Sequence, residues 1–241
     1  MKRKGALTVV GLGYRAAAQV TPEVLSAIGQ SDKLYHLVYD PLTTAWIRAV
    51  HPNSTSLADS WKPGASVAEC CDAMVRQIMA SVRAGTDVCV AFSGHPTICV
   101  YPTRESLRLA KREGFKTRIF PGLSAIDCLF ADIGVDPGLG CQIWETKTLL
   151  VRKPKLNPKT NIVLLQLQMI GRTADDGAET NREGLEMLRS FLMRVYPRHH
   201  RAAIYEAATF PVAGPVIQWI PLGHLPRAVI NALSTLLIPG I

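Results

Sequence analysis

Ser93-Gly94-His95-Pro96 brings a hydroxyl, an imidazole and two backbone-breaking residues together, directly after the apolar run Val88 to Phe92. A buried strand that breaks at Gly-His-Pro stops pairing and turns its backbone toward open space, and α/β sheets place ligands at such strand ends. A second break, Pro121-Gly122-Leu123-Ser124-Ala125, follows the short strand-like stretch Thr117 to Phe120. Two small-residue loops on one edge of one sheet describe a crevice. Within it, His95 reads first as a histidine that stabilises its turn and second as an acid or base. Ser124 is placed equally well to donate a hydroxyl hydrogen bond to a ligand or to cap the helix after it.

A third loop, Gly11-Leu12-Gly13-Tyr14-Arg15-Ala16, follows the apolar Leu7 to Val10 and fits the G-x-G-x-x-A dinucleotide pattern. A nicotinamide cofactor needs a helix that opens at those glycines, so that its N-terminus meets the pyrophosphate. The best helix start lies further on, at Thr21-Pro22-Glu23, where threonine caps, proline takes the first helical position and an acid follows. Asp40 is placed like a ribose-binding acid but directly precedes Pro41 in a loop-like stretch. The pattern therefore reads first as a loop that lets a different ligand approach the backbone closely, second as glycines that merely form a turn and last as a nicotinamide site.

The elements that must position these loops alternate between strand and helix. Leu7 to Val10, Leu34 to Tyr39, Val88 to Phe92 and Thr117 to Phe120 read as strands. Val67, Cys71, Met74, Ile78 and Val82 recur at helical spacing and mark one buried face. Thr103 to Glu113 is a further amphipathic helix, stopped at Gly114. This pattern predicts a mostly parallel sheet with helices on its faces. The second half reads differently: a strand over Ile162 to Leu167, a helix face of Leu185, Leu188, Leu192 and Val195, then strand-like Ala202 to Tyr205, Val216 to Ile220 and Leu233 to Ile238. A mixed sheet is expected there. The division falls near Gly114 to Gly122 and gives an N-terminal α/β lobe over residues 1–116 and a C-terminal α/β lobe over 117–241.

Composition narrows the partners. At 241 residues and 48% hydrophobic content the chain buries a substantial core. The net charge of +8 favours an acidic partner. Yet the basic clusters Arg152-Lys153-Pro154-Lys155 and Arg198-His199-His200-Arg201 carry no interleaved aromatic platforms, so they read as solvated loops and not as a nucleic-acid site. The cysteines form no CxxC pair and the histidines no zinc spacing, so no metal is expected. Cysteines among apolar neighbours, apolar runs too short for a membrane span, and an N-terminal apolar stretch interrupted by Gly11, Gly13 and Arg15 together point to the cytoplasm.

The G-x-G loop after the first strand, Gly94-His95-Pro96 and Pro121-Gly122-Leu123-Ser124-Ala125, in this order, resemble the tetrapyrrole-methylase superfamily of S-adenosylmethionine-dependent methyltransferases. Within it the chain is most similar to the borosin peptide α-N-methyltransferases. The matching stretches include Ser81 to Gly85, Glu113-Gly114-Phe115, Ala131 to Gly138, Tyr205-Glu206-Ala207-Ala208 and Ser234 to Pro239. The resemblance implies a two-lobed α/β fold with S-adenosylmethionine in a cleft between the lobes. It implies contacts from Gly11, Gly13, Gly94, His95, Pro96, Thr97, Ile98, Ser124, Ala125, Gln166, Leu167, Ala207 and Ala208. Carbonyl oxygens facing polarised C–H groups, and small residues that admit the ligand, suit a sulfonium donor. A homodimer whose subunits clasp each other's peptide is also implied.

The residues around the acceptor depart from that family's pattern. A backbone amide is a poor nucleophile because its lone pair is delocalised into the carbonyl. Borosin enzymes are assigned tyrosines and an arginine to stabilise the anion formed when its proton leaves. Here the tyrosine before Gly-His-Pro is Ser93, the helical arginine and tyrosine positions fall on Val67 and Cys71, and a further tyrosine falls near Trp61. Val67 and Cys71 lie one turn apart, so that helix face is apolar and reads first as packing. Trp61, Ser93, Tyr14 and Tyr39 are the candidate catalytic residues, with Tyr101 a further polar group at a loop; Asp40, Val67 and Cys71 are the candidate substrate contacts. The chain stops close to its last strand, so a precursor peptide acting in trans is the expected substrate. A tetrapyrrole or other small-molecule methyltransferase, and a catalytically degenerate protein that binds cofactor and peptide, are the alternatives.

Overall fold

The computed structural model describes residues 5–15, 17–38, 40–171, 181–210 and 212–241. The chain divides into two units, Met1–Ser124 with Thr209–Ala213, and Ala125–Ala208 with Gly214–Ile241.

In the first unit the order is β1 (Ala6–Gly11), α1 (Pro22–Gly29), β2 (Lys33–Leu37), α2 (Pro41–Val50), β3 (Ser54–Ser56), a 3₁₀ turn (Ala58–Ser60), α3 (Val67–Arg83), β4 (Asp87–Phe92), α4 (Tyr101–Arg112) and β5 (Lys116–Phe120). The strands form one sheet in the order β3-β2-β4-β1-β5, and every neighbouring pair is parallel. A parallel sheet must be covered on both faces, and the pleat of β1 shows how this is met. Leu7 and Val9 pack with Met74 and Ile78 of α3 and Leu107 of α4, while Val10 packs with Val24 and Ile28 of α1 and Ile47 of α2.

The helices start where the sequence supplies caps. Thr21 accepts from the Val24 amide at 3.3 Å with Pro22 behind it, and Ser66 forms a reciprocal capping box with Glu69. α4 ends before Gly114, whose φ of +75° suits glycine. The connection leaving β1 runs through α1 on one face, and that leaving β4 runs through α4 on the other. The C-terminal ends of these adjacent strands are therefore a switch point, where an open α/β sheet leaves a crevice.

The second unit contains α5 (Ala125–Ile133), β6 (Cys141–Glu145), α6 (Thr146–Arg152), β7 (Asn161–Leu165), α7 (Arg182–Leu192), β8 (Arg201–Glu206), β9 (Val216–Pro221) and β10 (Thr235–Ile238). Its sheet has the order β6-β7-β10-β8-β9, with β6 and β7 parallel and the other pairs antiparallel. Leu185, Leu188 and Leu192 of α7 pack on Ile162, Leu164, Ile204 and Leu236 of the sheet, as their spacing predicts, whereas Val195 lies past the end of α7 while still packing against the same core. The Tyr205 hydroxyl donates to Asp132 on α5 at 2.6 Å.

Several expectations shift. The first unit runs to Ser124 and not to residue 116, because β5 hydrogen-bonds to β1 through Phe120. β2 stops at Leu37. Asp40 is not in a loop: its carboxylate caps α2, accepting from the Thr43 amide at 2.7 Å, with Pro41 in the first turn. β3, β6, α2 and α6 are additional elements, each short or lacking a long apolar period.

Candidate active site

At the switch point three glycines let three strand ends meet. A Cβ built on Gly11 would lie 2.5 Å from the Gly94 oxygen and 2.7 Å from the Gly122 nitrogen. One built on Gly122 would lie 2.5 Å from the Gly94 oxygen and 2.6 Å from the Gly11 carbonyl carbon. The Leu12 amide donates to the Phe92 carbonyl at 2.9 Å, and the Gly94 amide to the Gly13 carbonyl at 2.8 Å. Gly13 and Gly94 both sit at φ +71°, and the space beside Gly94 is taken by the Tyr14 ring, 2.8 Å from a built Cβ. The Gln19 side chain accepts from the amides of Tyr14 (2.7 Å) and Arg15 (3.1 Å) and ties the loop down. The glycine identities at 11, 94 and 122 are thus accounted for by contacts inside this unit. A dinucleotide site is not formed here, because α1 opens only at Pro22 and its cap is occupied by its own first turn.

Beyond the knot, His95 does what a turn histidine does: its Nδ1 lies 3.3 Å from the Thr97 amide and 3.1 Å from the Thr97 hydroxyl. Pro96 and Ser124 are buried, Ile98 is half-buried and Thr97 is exposed. Cys99, just past this segment, has a left-handed backbone at φ +56°. Ser93 is half-buried and its amide donates to the Leu37 carbonyl at 3.3 Å. Tyr14, Ser93, Gly94 and Gly122 are therefore gathered at one sheet edge. Tyr39 lies outside the described residues.

Trp61, Val67 and Cys71 belong to a different stretch, the 3₁₀ turn and the start of α3. Trp61 follows the turn and is exposed, Val67 is half-buried as the first residue of α3, and Cys71 is buried. Burial, helped by Cys70 and Asp72, pushes the Cys71 thiol up to about 11, so it is neither a thiolate nor a base at neutral pH. The polar pair on this side is one that sequence reading half missed. Tyr101, at the start of α4, donates its hydroxyl to Asp72 of α3 at 3.1 Å, and that bond raises the phenol pKa. Nothing in the spacing of Asp72 and Tyr101 announces the pairing, which depends on how two helices pack. Among the described residues no group of three or more metal-ligating side chains comes together. A cavity of about 390 Å³ opens at the opposite edge of the sheet, near Thr8, Ser26, Asp87 and Arg118, away from all of these candidates.

In the second unit, β7 and β8 both run antiparallel to β10, so Gln166 and Leu167 after β7 share a sheet edge with Ala207 and Ala208 after β8. Leu167, Ala207 and Ala208 are buried. Gln166 holds a left-handed backbone at φ +58°. Glu206 accepts from the Ser234 hydroxyl at 2.6 Å and the Thr146 hydroxyl donates to the Leu165 carbonyl at 2.6 Å, so this edge is polar and internally tied. Sequence reading carried no signal for Glu206–Ser234, which is brought together by the β8–β10 register.

Non-glycine residues in left-handed backbone cost free energy and collect at ligand sites. Two of the four among the described residues, Cys99 and Gln166, adjoin or belong to segments that the resemblance assigns to the cofactor. Within the second unit, the small buried Ala207 and Ala208 and the left-handed Gln166 backbone are compatible with a nucleoside approached closely by main chain, as S-adenosylmethionine is expected to be.

Residues 6–214 match the family model described as Tetrapyrrole (Corrin/Porphyrin) Methylases. The chain is 34% identical over 245 residues to the methyltransferase/ribosomally synthesized cyclic peptide omphalotin A precursor of Omphalotus olearius, covering 98% of this chain and 58% of that protein. It is 32% identical over 243 residues to the methyltransferase/ribosomally synthesized cyclic peptide gymnopeptides precursor of Gymnopus fusipes, covering 99% and 58%. The chain thus spans about 58% of the length of these curated relatives. The crystal structure of uroporphyrin-III-C-methyltransferase from Thermus thermophilus shares the fold, with a TM-score of 0.67 at 17% identity over 98% of this chain and 94% of that one. Diphthine synthase does so with a TM-score of 0.65 at 18% identity, over 98% and 90%. With its family model matched from the first strand to residue 214 and relatives above 30% identity along nearly its whole length, the chain belongs to the tetrapyrrole (corrin/porphyrin) methylases.

Proposed function

We propose that this chain is an S-adenosylmethionine-dependent methyltransferase that methylates backbone amides of a ribosomally made peptide presented as a separate molecule. The observation that carries the reading is the likeness to methyltransferase/peptide precursors along nearly the whole of this chain. When bound, S-adenosylmethionine supplies the electrophilic methyl group. The chain's residues have the remaining work: the Gly94 to Ile98 and Ser124 segments hold the nucleoside by backbone and hydroxyl, and the acceptor nitrogen is aligned in line while water is kept out. A net charge of +8 favours an acidic peptide. We place the protein in the cytoplasm as a homodimer; no described helix is long and apolar enough to cross a membrane.

The α3 face limits the chemistry. Val67 and neutral Cys71 supply no charge to an imidate anion, and the Tyr101 phenol is held protonated by Asp72. Positioning therefore does more here than anion stabilisation, and the same observation favours a second reading, a protein that binds cofactor and peptide with little turnover.

The test is incubation of the purified protein with S-adenosylmethionine and candidate acidic precursor peptides, following S-adenosylhomocysteine and peptide mass. Peptide carrying added methyl groups on backbone nitrogen establishes the first reading. Cofactor binding by calorimetry with no S-adenosylhomocysteine on any peptide favours the second. Methyl transfer to a porphyrinoid and to no peptide overturns both in favour of a small-molecule enzyme.

A further inference from the structure

The outer edge of β9 carries main-chain groups that its own sheet does not pair. β9 ends its sheet, with β8 on one side and no strand among the described residues on the other. The register pairs Glu206 with Val216 and Arg201 with Pro221, and the Leu222 amide donates to the His200 carbonyl at 2.8 Å. In an antiparallel ladder, opposed residues alternate between hydrogen-bonded and non-hydrogen-bonded pairs. Counting back from Leu222, the ladder to β8 uses Ile220, Gln218 and Val216. Ile217 and Trp219 therefore turn both their N–H and C=O groups outward.

Pro215 and Pro221 flank them, and neither has an N–H to offer. The outward donors are thus confined to two residues, which is the way natural edges are protected against long strand-to-strand association. The side chains of this edge are nevertheless apolar and open: Val216 is 54% exposed, Ile217 36% and Trp219 38%. Arg201 lies over the Trp219 ring at 5.9 Å, and the following 3₁₀ turn carries His224 and Arg227, so the Pro221 end of the edge is basic. At its other end, Val216 faces Glu206, next to Ala207 and Ala208.

We infer that the outer edge of β9 docks a short extended segment of the acceptor peptide by β-augmentation, with Ile217 and Trp219 exchanging main-chain hydrogen bonds with it and Arg201 favouring acid at its far end. This rests on the peptide reading above. Two outward residues offer far less area than the roughly 1,000 Å² a stable second-copy interface requires, whereas peptides bind sheet edges through a few main-chain bonds with alternate side chains giving preference. The segment would lie along β9 and lead toward the Glu206–Ala208 edge. Because pairing needs the peptide's own N–H groups, a segment already methylated on those nitrogens is rejected, and docking selects unmodified chain.

The experiment uses fluorescein-labelled octapeptides of alternating valine and threonine with two glutamates at one end, titrated by anisotropy against the intact protein. Ile217→Pro and Trp219→Pro each remove an outward N–H without touching the β8 ladder, and each is expected to weaken the probe about tenfold while S-adenosylmethionine affinity stays unchanged. Trp219→Thr keeps the N–H and is expected to lose less. On the wild-type protein, a probe methylated on successive backbone nitrogens is expected to lose affinity at alternate positions only, which keeps the idea testable should the proline variants misfold.

No binding of the probe to wild-type protein, uniform tolerance of backbone methylation, or loss of a dimer in Trp219→Pro with probe affinity intact would each overturn the inference; the last assigns the edge to a second copy. Probe docking with the alternating pattern but no methyl transfer to any peptide would leave this inference standing and remove the enzymatic reading. Methyl transfer with unaltered peptide KM in both proline variants would do the reverse.

Discussion

Gly122→Ala tests whether the three-glycine knot is a structural joint. Its new Cβ would sit 2.5 Å from the Gly94 oxygen and 2.7 Å from the Gly11 oxygen, well inside the 3.4 Å at which ordinary contact begins. Both obstacles are backbone. Gly11 lies in β1, and Gly94 is held by the hydrogen bond its amide donates to the Gly13 carbonyl at 2.8 Å, so neither can turn aside as a side chain would. Overpacking of this kind costs about 1–3 kcal/mol, and rigid neighbours place Gly122→Ala at the upper end, about 3 kcal/mol. The reduced entropy of the unfolded chain returns about 0.4–1 kcal/mol, leaving a net loss of roughly 2 kcal/mol or more. For a chain of this size that lowers Tm by about 4–8 °C.

Gly29→Ala is the control, because Gly29 has nothing within 4 Å of a built Cβ and closes α1. It is expected to hold or raise Tm. Gly94→Ala adds the cost of φ +71° to a contact with the Tyr14 ring; a second Tyr14→Ala change should recover the contact and not the backbone cost. Thermal and urea unfolding of these variants settle the matter. If Gly122→Ala melts within about 2 °C of wild type, the strand ends are not tied as described and the argument fails.

Further outcomes follow from other sites. Thr97 is exposed, so Thr97→Trp should leave Tm unchanged yet abolish S-adenosylmethionine binding in calorimetry; retained affinity would remove this loop from the cofactor site. Burial raises the Cys71 thiol to about 11 and the Cys89 thiol to about 12 against 9.0 unfolded. Their contribution to stability is full below about pH 9 and lost as pH rises toward those folded values, so urea midpoints should fall above pH 9 and fall less in Cys89→Ala. His36 is held below 6.5 by burial and by Arg48, so it favours the folded state above pH 6.5 and loses that contribution as pH falls through its folded pKa. His36→Leu should flatten the acid limb of stability measured from pH 7 to pH 4.

The parts of this fold that local physics dictates were legible. Thr21-Pro22 and the Val67 to Val82 periodicity predict helices that are there, because a cap and a 3.6-residue period act within one element. Leu7 to Val10 and Val88 to Phe92 stand out as apolar runs, since the central strands of a parallel sheet are buried on both faces, whereas β5 at the edge is largely exposed. What stayed hidden depends on partners distant in sequence. β3 (Ser-Thr-Ser) has no apolar signal and exists by pairing with β2, and β6 by pairing with β7. Asp40-Pro41 carries the same cap-plus-proline chemistry as Thr21-Pro22 and went unread only because no long apolar period follows it. The Asp72–Tyr101 and Glu206–Ser234 bonds depend on helix packing and strand register, which spacing along the chain does not encode.

The same distinction bears on how small-residue motifs should be interpreted. Gly11, Gly94 and Gly122 form the most conspicuous pattern in the chain, and it is natural to assign their missing side chains to a ligand. The geometry accounts for each of them within this unit: a Cβ on Gly11 or on Gly122 would strike the backbone of the other two, and one on Gly94, at φ +71°, would meet the Tyr14 ring. The glycines therefore mark where the strand ends join, and on the proposed reading the cofactor's contacts fall to the segments that follow, around Thr97, Ile98 and Ser124. Those outlying residues and the α3 face take no part in the glycine contacts. That is how a chain can keep the fold of the family while carrying Val67 and Cys71 where its resemblance to peptide methyltransferases expects charge and a phenol. Substitutions at the knot report on folding, and only substitutions outside it report on chemistry.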